Sequence, residues 1–550
     1  MHTSHSKGES KPGVPLKSRI RERWAALKSE RTPKIDQWRE ISKFLMPTTG
    51  RFLVSDRNKG GKKTNAIYDN TATYALRILG AGMMAGASSP ARQWFKLETA
   101  DQDLNRHAPV KIWLESVSQL MMTIFNRSNT YRMLHNCYEE LAGYGTYANV
   151  ILPNYDTVIH NYGLTAGEYC IATDPEGKVN TLYREFQKTV AEVVREFGIE
   201  NVSRQTRLLH EKGTLQAPVN ILHAIEPRFD RDPTKLDNKN MAYGSYYMEE
   251  GAEQEHEWLR ISGFKTFPCM VPRWSSSGGD VYGNSPGSDT IGDIKQLMHQ
   301  QLRKGQGIDY QTNPPLQVPV GVSAVDRLPG GITNTTAAGP QSTIRTAFDV
   351  NLDLSHLTAD INDVRQRINR GFYSDLFLML ANATDTRMTA TEVAERHEEK
   401  LLMLGPVMER LHNEALEPLI TVTFDAMSNA GILPDAPEEL NDMELSIVFV
   451  SMLAQAQRTV GLNSVDRLVS SIGVVSQIKP EVMDKFNADA WLDDYSSTLG
   501  TSPRLINSTD DAMRVRQARA EAQQQQQQLD AAQQAAAATK DLGAAGLGEQ

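Results

Sequence analysis

Three helical segments in series, the first two separated by a Pro/Gly-rich insertion, constrain this chain more than any other feature. From Asp289 to Gln306, Ile291, Ile294, Leu297, Met298 and Leu302 fall on one side of a helix. Leu354, Leu357, Ile361, Val364, Ile368 and Phe372 step by three and four along a second. Residues 307–350 between them contain Asn313-Pro-Pro315, Pro319, Pro329-Gly-Gly331 and Gly339-Pro340, which predict a compact loop-and-strand excursion. A short polar loop, Ala381 to Arg387, then leads to Met388-Thr-Ala-Thr-Glu-Val393, where Thr389 and Glu392 have the spacing of a capping box. Val393, Leu401, Leu404, Met408, Leu411 and Ala415 continue from it as one apolar stripe of a long helix. The second and third helices are thus joined by a loop too short and polar to join their core.

The 550 residues exceed one ordinary core and imply two or more packed regions. No apolar run approaches the roughly eighteen residues a membrane helix needs, so no membrane partner is expected. The polar, basic N-terminus has no apolar stretch of the kind a secretory signal carries. Cys137, Cys170 and Cys269 show no paired spacing, which fits a reducing compartment. Charge is unevenly spread. Residues 1–63 hold 16 Lys/Arg against 6 Asp/Glu, and the remainder holds 42 against 61. Tight DNA binding draws on a cation for each phosphate contacted. An acidic body therefore argues against a tight grip on DNA.

Residues 1–20 read as a disordered basic arm, and from Leu16 to about Leu45 the pattern turns helical with Trp24, Leu27, Trp38, Ile41, Phe44 and Leu45 as apolar members and Pro47 as its stop. A helix from about Asp69 to Ala85 carries Gly80, Gly82, Ala85 and Gly86, small residues that permit close helix approach. Ser88–Phe95 reads as a turn and strand entry, and helices follow at about 107–126 and 130–147. The region from Val150 to Arg273 is strand-rich, interrupted by a helix at Thr189–Phe197. The final third reads as helical, ending in a Gln/Ala-rich tail whose segment Ala512–Lys540 has almost no apolar face and holds only against other copies.

Few motifs carry chemistry. Gly283-Asn-Ser-Pro-Gly287 matches the nucleophile elbow of hydrolases, but Pro286 has no N–H to offer an oxyanion, so Ser285 reads more simply as a helix cap. Gly60-Gly-Lys-Lys-Thr64 lacks the first glycine of a phosphate loop, and Lys63 stands where Ser or Thr belongs. The histidines make no zinc spacing; Glu253–Trp258 and Asp230, Asp232 and Asp237 read as solvated loop groups. No cofactor and no catalytic or metal site is expected. Arg365, Arg367 and Arg370 on the second helix, with Arg387, either pair with Asp360, Asp363 or the carboxylates of an adjoining subunit, or face a DNA channel and touch phosphates transiently.

In series, these segments resemble the portal (head-to-tail connector) proteins of short-tailed, double-stranded DNA bacteriophages. The resemblance covers about Arg21 to Ile472 and is carried by Ile67-Tyr-Asp-Asn-Thr-Ala72, Gly82-Met-Met-Ala-Gly86, Ser89-Pro-Ala-Arg-Gln-Trp-Phe-Lys-Leu97, Tyr144-Gly-Thr146, Arg184-Glu-Phe186, Gly283–Gly287, Asn313-Pro-Pro315 and Arg387–Val393. It implies a mixed α/β, predominantly helical portal fold with wing, stem, clip and crown, in a ring of usually twelve subunits at one capsid vertex of the virion, assembled in the host cytoplasm. The wing would take 21–285, the stem 286–306 and 351–380, the clip 307–350, the tunnel loop 381–387, the post-tunnel helix and further wing or crown 388–505, and a barrel or tail 506–550. DNA would pass Asn382, Thr384, Asp385, Thr386 and Arg387, with Arg365, Arg367 and Arg370 in the stem. Asn313, Pro314, Pro315, Arg327 and Pro329 would dock terminase and then the tail adaptor or tail proteins. Major capsid and scaffolding proteins, internal core or ejection proteins and non-specifically bound double-stranded DNA are the other partners implied. A tail adaptor or scaffold, and more remotely a serine hydrolase at Ser285, are the alternatives.

Overall fold

The structure, a computed structural model, describes residues 15–53, 66–101, 104–105, 107–232, 234–235, 237–252, 258–318, 322, 325–326, 332–333, 344–347, 353–382, 404–440, 445–451, 453–454, 469, 471–475, 479, 486–489, 491–492 and 512–529. Its named helices are α1 (Leu16–Phe44), α2 (Thr71–Ala87), α3 (Ala108–Arg127), α4 (Thr130–Tyr144), α5 (Val190–Phe197), α6 (Arg204–Glu211), α7 (Pro286–Thr312), α8 (Ser355–Gly371), α9 (Ser374–Asn382) and α10 (Glu417–Asn429). Its strands are β1 (Phe95–Thr99), β2 (Ala148–Asn154), β3 (Val158–Leu164), β4 (Tyr169–Thr173), β5 (Val179–Thr189), β6 (Pro218–Pro227), β7 (Tyr243–Glu249), β8 (Arg260–Phe264), β9 (Cys269–Met270), β10 (Leu316–Gln317), β11 (Arg345–Thr346) and β12 (Leu445–Phe449). The fold is mixed α/β. It divides into one compact unit of residues 1–90 and 124–430 and another of 91–123 and 431–550.

In the first unit, β4–β8 form a five-stranded antiparallel sheet in sequence order. Alternation along β6 decides what each face meets. Leu222 and Ala224 pack with Ile20, Trp24 and Leu27 of α1, while Val219 and Ile221 pack with Val193 and Phe197 of α5. The helix α5 starts at a complete capping box, Thr189 with Glu192. Glu226, buried on the α1 face, accepts from Arg19 at 3.1 Å, Arg23 at 3.0 Å and the Tyr183 hydroxyl at 2.6 Å, so its charge is paired where the sheet meets the helix.

The other half of α1 runs on past Pro33 to a second aromatic centre. The Trp38 indole donates to the Tyr144 carbonyl at 2.9 Å, and its ring lies 5.5 Å from Tyr282 and 6.1 Å from Tyr169. Truncating this fully buried side chain to Ala would cost about 3–5 kcal/mol. A three-stranded sheet, β3-β2-β9, adjoins this region. The outer edge of β3 is closed at Asn161, whose N–H donates to Asn129 Oδ1 at 2.9 Å and whose carbonyl accepts from Asn129 Nδ2 at 2.7 Å.

The small residues of α2 do what their size predicts. A Cβ on Gly80 would sit 2.8 Å from Glu139 of α4, and one on Gly82 would sit 2.2 Å from the Phe377 ring of α9. Residues 404–411 lead through a π-helical turn, His412–Leu416, into α10. That turn carries Glu414, which takes the Arg273 guanidinium at 2.6 Å.

In the second unit, β1 pairs antiparallel with β12, Phe95 opposite Phe449. Reading the final third as helical is corrected here: Leu445-Ser-Ile-Val-Phe449 is a β-branched, aromatic run that the partner strand captures. The Trp113 indole of α3 donates to the Pro434 carbonyl at 3.1 Å. Residues 512–529 form a helix on which Met513, Val515 and Leu529 are all exposed.

Candidate functional site

The helices α7 and α8, with the residues just after α7, carry most of the expected site residues that the structure describes. The start of α7 is set by Ser285, whose hydroxyl accepts from Ser288 N–H at 2.9 Å and donates to the Gly143 carbonyl at 2.7 Å. Pro286 follows in the first turn, where its missing N–H costs nothing. Ser285 is 1% exposed, so it is a capping residue built into the core and has no free nucleophile to present. Lys34 steadies the same turn by donating to Asn284 Oδ1 at 2.6 Å.

Three pairings fix the direction of α8 along α7. A Cβ on Gly371 would touch Thr290, Arg367 meets Asp293 at 3.2 Å, and Gln300 donates to Asp360. The partner number falls as the α7 number rises, so the two helices are an antiparallel hairpin. At its base Ile294, Leu297 and Met298 of α7 and Ile361, Val364 and Ile368 of α8 are buried. Beyond Met298 on α7, and before Ile361 on α8, no residue of the hairpin is buried; Leu302, Ile308 and Tyr310 are all exposed. At the far end Asn313 terminates α7, and Pro314 and Pro315 lead to β10, which pairs with β11: Leu316 opposite Thr346, Gln317 opposite Arg345. The β10–β11 pair is therefore carried at the hairpin's tip.

The base of the hairpin is tied to α2 by one carboxylate. Asp69, just before that helix, accepts from Arg365 at 2.7 and 3.2 Å, Gln301 at 2.8 Å, Thr71 N–H at 2.9 Å and the Thr71 hydroxyl at 2.5 Å. Burial pushes its pKa up, but the Thr71 and Arg365 donors outweigh that and hold it below the usual carboxylate range. The expected partners of Arg365, Asp360 and Asp363, are thus not the ones it finds. Arg367 does pair with Asp363, at 3.1 Å, besides Asp293. Arg370 is exposed, and among the described residues no carboxylate lies within ion-pair range of it.

A family model for the bacteriophage head to tail connecting protein matches residues 17–506 of this chain. The chain belongs to that family. Among curated relatives of this connector-family chain, the "Probable portal protein" of Bordetella phage BPP-1 is 55% identical over 516 residues, spanning 94% of this chain and 92% of that one. The "Portal protein" of Salmonella phage epsilon15 is 41% identical over 529 residues, 96% and 95% of the two chains.

Within this connector-family fold, Asn382 is the last residue of α9. Thr384, Asp385, Thr386 and Arg387 lie outside the described residues, as do Arg327, Pro329, the Thr389–Glu392 capping box and the Gly60–Thr64 loop. Two features escape sequence reasoning. One is Asp69, which reads as an ordinary helix start because its partners are distant in sequence. The other is a break between α8 and α9, where a single helix over 351–380 is expected. Gly371 is the available signal, since a glycine near a helix end commonly marks its C-terminus.

Proposed function

We propose that this chain is one subunit of the portal ring at a capsid vertex, through which viral DNA is packaged and later ejected. The observation that carries the reading is the hairpin of α7 and α8, whose distal half buries nothing within one chain while presenting Leu302, Ile308 and Tyr310. Isolated helices of such length are marginal in water, so neighbouring copies supply the missing packing. In this reading residues 286–306 of α7 and residues 351–380 are the stem, 307–350, which opens with the last turns of α7, is the clip that docks terminase and then the tail adaptor, and 381–387 lines the channel. The portal names of both relatives, matched over nearly their full lengths, support the same assignment. The exposed helix at 512–529 would then pack against its copies. Light scattering with negative-stain imaging tests the proposal: rings with a central hole, near twelve copies of the 61.2 kDa chain, are expected. A monomer at micromolar concentration in every salt refutes it.

A further inference from the structure

We infer that the junction between α8 and α9 is a two-state elbow, bent in this structure and convertible to one continuous helix from Ser355 to Asn382. The chain turns at a single residue. Tyr373 has φ +53°, in the left-handed region that side chains other than Gly and Asn rarely enter. Helical bonding resumes at once on both sides: Phe372 N–H donates to the Ile368 carbonyl at 3.1 Å, and Leu376 and Phe377 N–H donate to the Tyr373 carbonyl at 3.1 and 3.3 Å. No proline between Ser355 and Asn382 forbids a continuous helix. The bend also strands a hydroxyl. Ser374 is 2% exposed and its Oγ has no hydrogen-bond partner among the described residues. In a continuous helix that oxygen would reach the carbonyl four residues back, at Arg370.

Local bonding therefore favours the straight form, and only tertiary packing holds the bend. Phe377 lies against Gly82 with no space for a Cβ between them, the Tyr373 ring sits 6.4 Å from Trp274, and Gly371 abuts Thr290. Opposed preferences of this kind make packed elements bistable instead of continuously deformable. Straightening would swing all of α9, about 14 Å of helix, and carry Asn382 with it. Its meaning for DNA passage rests on the portal reading, because α9 leads into the loop placed in the channel; the elbow itself does not depend on that reading.

The test uses the full chain with Asn362→Cys and Leu378→Cys, both at exposed positions, carrying spin labels. The native cysteines are buried. Labelled chain is diluted with unlabelled chain so that only distances within one chain register. The straight form separates the two backbones by about 24 Å, and the bent form by less. Tyr373→Gly, which tolerates positive φ, should show the shorter distance alone. Tyr373→Val, whose β-branched side chain fits positive φ worse still, should raise the longer population, and Gly82→Ala, which pushes Phe377 off α2, should raise it as well. If neither variant populates the longer distance, the elbow is a fixed bend and the inference falls. Because distances are read within a chain, failure of the ring assignment would leave this result intact, and a fixed bend would leave the ring assignment intact.

Discussion

Arg365→Ala isolates what the Asp69 anchor contributes. The substitution removes two donors, at 2.7 and 3.2 Å, from a carboxylate only 5% exposed, and leaves the Gln301 and Thr71 bonds in place. Removing one partner of a fully buried pair costs about 3–5 kcal/mol, whereas exposed pairs are worth about 0–1 kcal/mol. Arg365 is itself 40% exposed, which sets the expected loss near 2 kcal/mol. That corresponds to about a thirtyfold larger opening constant for amides that exchange through local opening. Hydrogen exchange read by mass spectrometry on peptides covering 66–87 and 355–371 measures it. Arg367→Ala is the control: its partners Asp293 and Asp363 are 32% and 61% exposed, so acceleration there should stay below about fivefold. Because the Asp69 pKa is depressed in the folded protein, its contribution is present above the ordinary carboxylate pKa and is lost as pH falls through the lowered value. Equal acceleration by Arg365→Ala and Arg367→Ala would refute the anchor.

Gly82→Ala places a methyl 2.2 Å from the Phe377 ring and should cost about 1–3 kcal/mol by overpacking; Phe377→Leu in the same chain should recover part of the lost melting temperature. Burial pushes the Glu140 carboxyl up to about 8, with Glu168 adding to the shift. The stability it confers is therefore full below about pH 4.5 and fades as pH rises toward 8. Glu140→Gln should gain on the order of 3–5 kcal/mol near pH 8 and nothing at pH 4, which melting temperatures across pH would show. Ser285→Ala should destabilise by about 1 kcal/mol through the lost cap while leaving any background ester hydrolysis unchanged; a drop in hydrolysis would revive the nucleophile.

Much of the fold follows from local rules. Periodicity locates α1, α2, α4 and the buried face of α8, because each contributes a regular stripe to a core. Small residues in α2 signal close packing, and Gly82 against Phe377 realises it. Long-range partnerships leave no such trace. β12 is five residues whose strand state depends on β1, hundreds of positions earlier. Arg365 finds Asp69 instead of Asp360 or Asp363, because the fold brings the start of α2 to the base of the hairpin. The break at Tyr373 escapes because α8 and α9 keep an apolar face on both sides of it, and periodicity registers faces but not changes of axis. The residues assigned to the channel and clip come from family resemblance, since small polar loops and Pro/Gly turns have no spacing that specifies what they touch.

The amide of Asn129 has a consequence for assembly that reaches beyond its own sheet. An uncovered strand edge accepts a strand from any other chain, and that chain exposes the same edge in turn. Growth by this route has no natural end. A ring requires contacts whose rotation closes after a fixed number of copies, because head-to-tail contacts that do not close give filaments. By occupying both the N–H and the carbonyl of Asn161, one short side chain takes the middle residue of β3 out of the positions at which a strand from another copy could pair and start such a polymer.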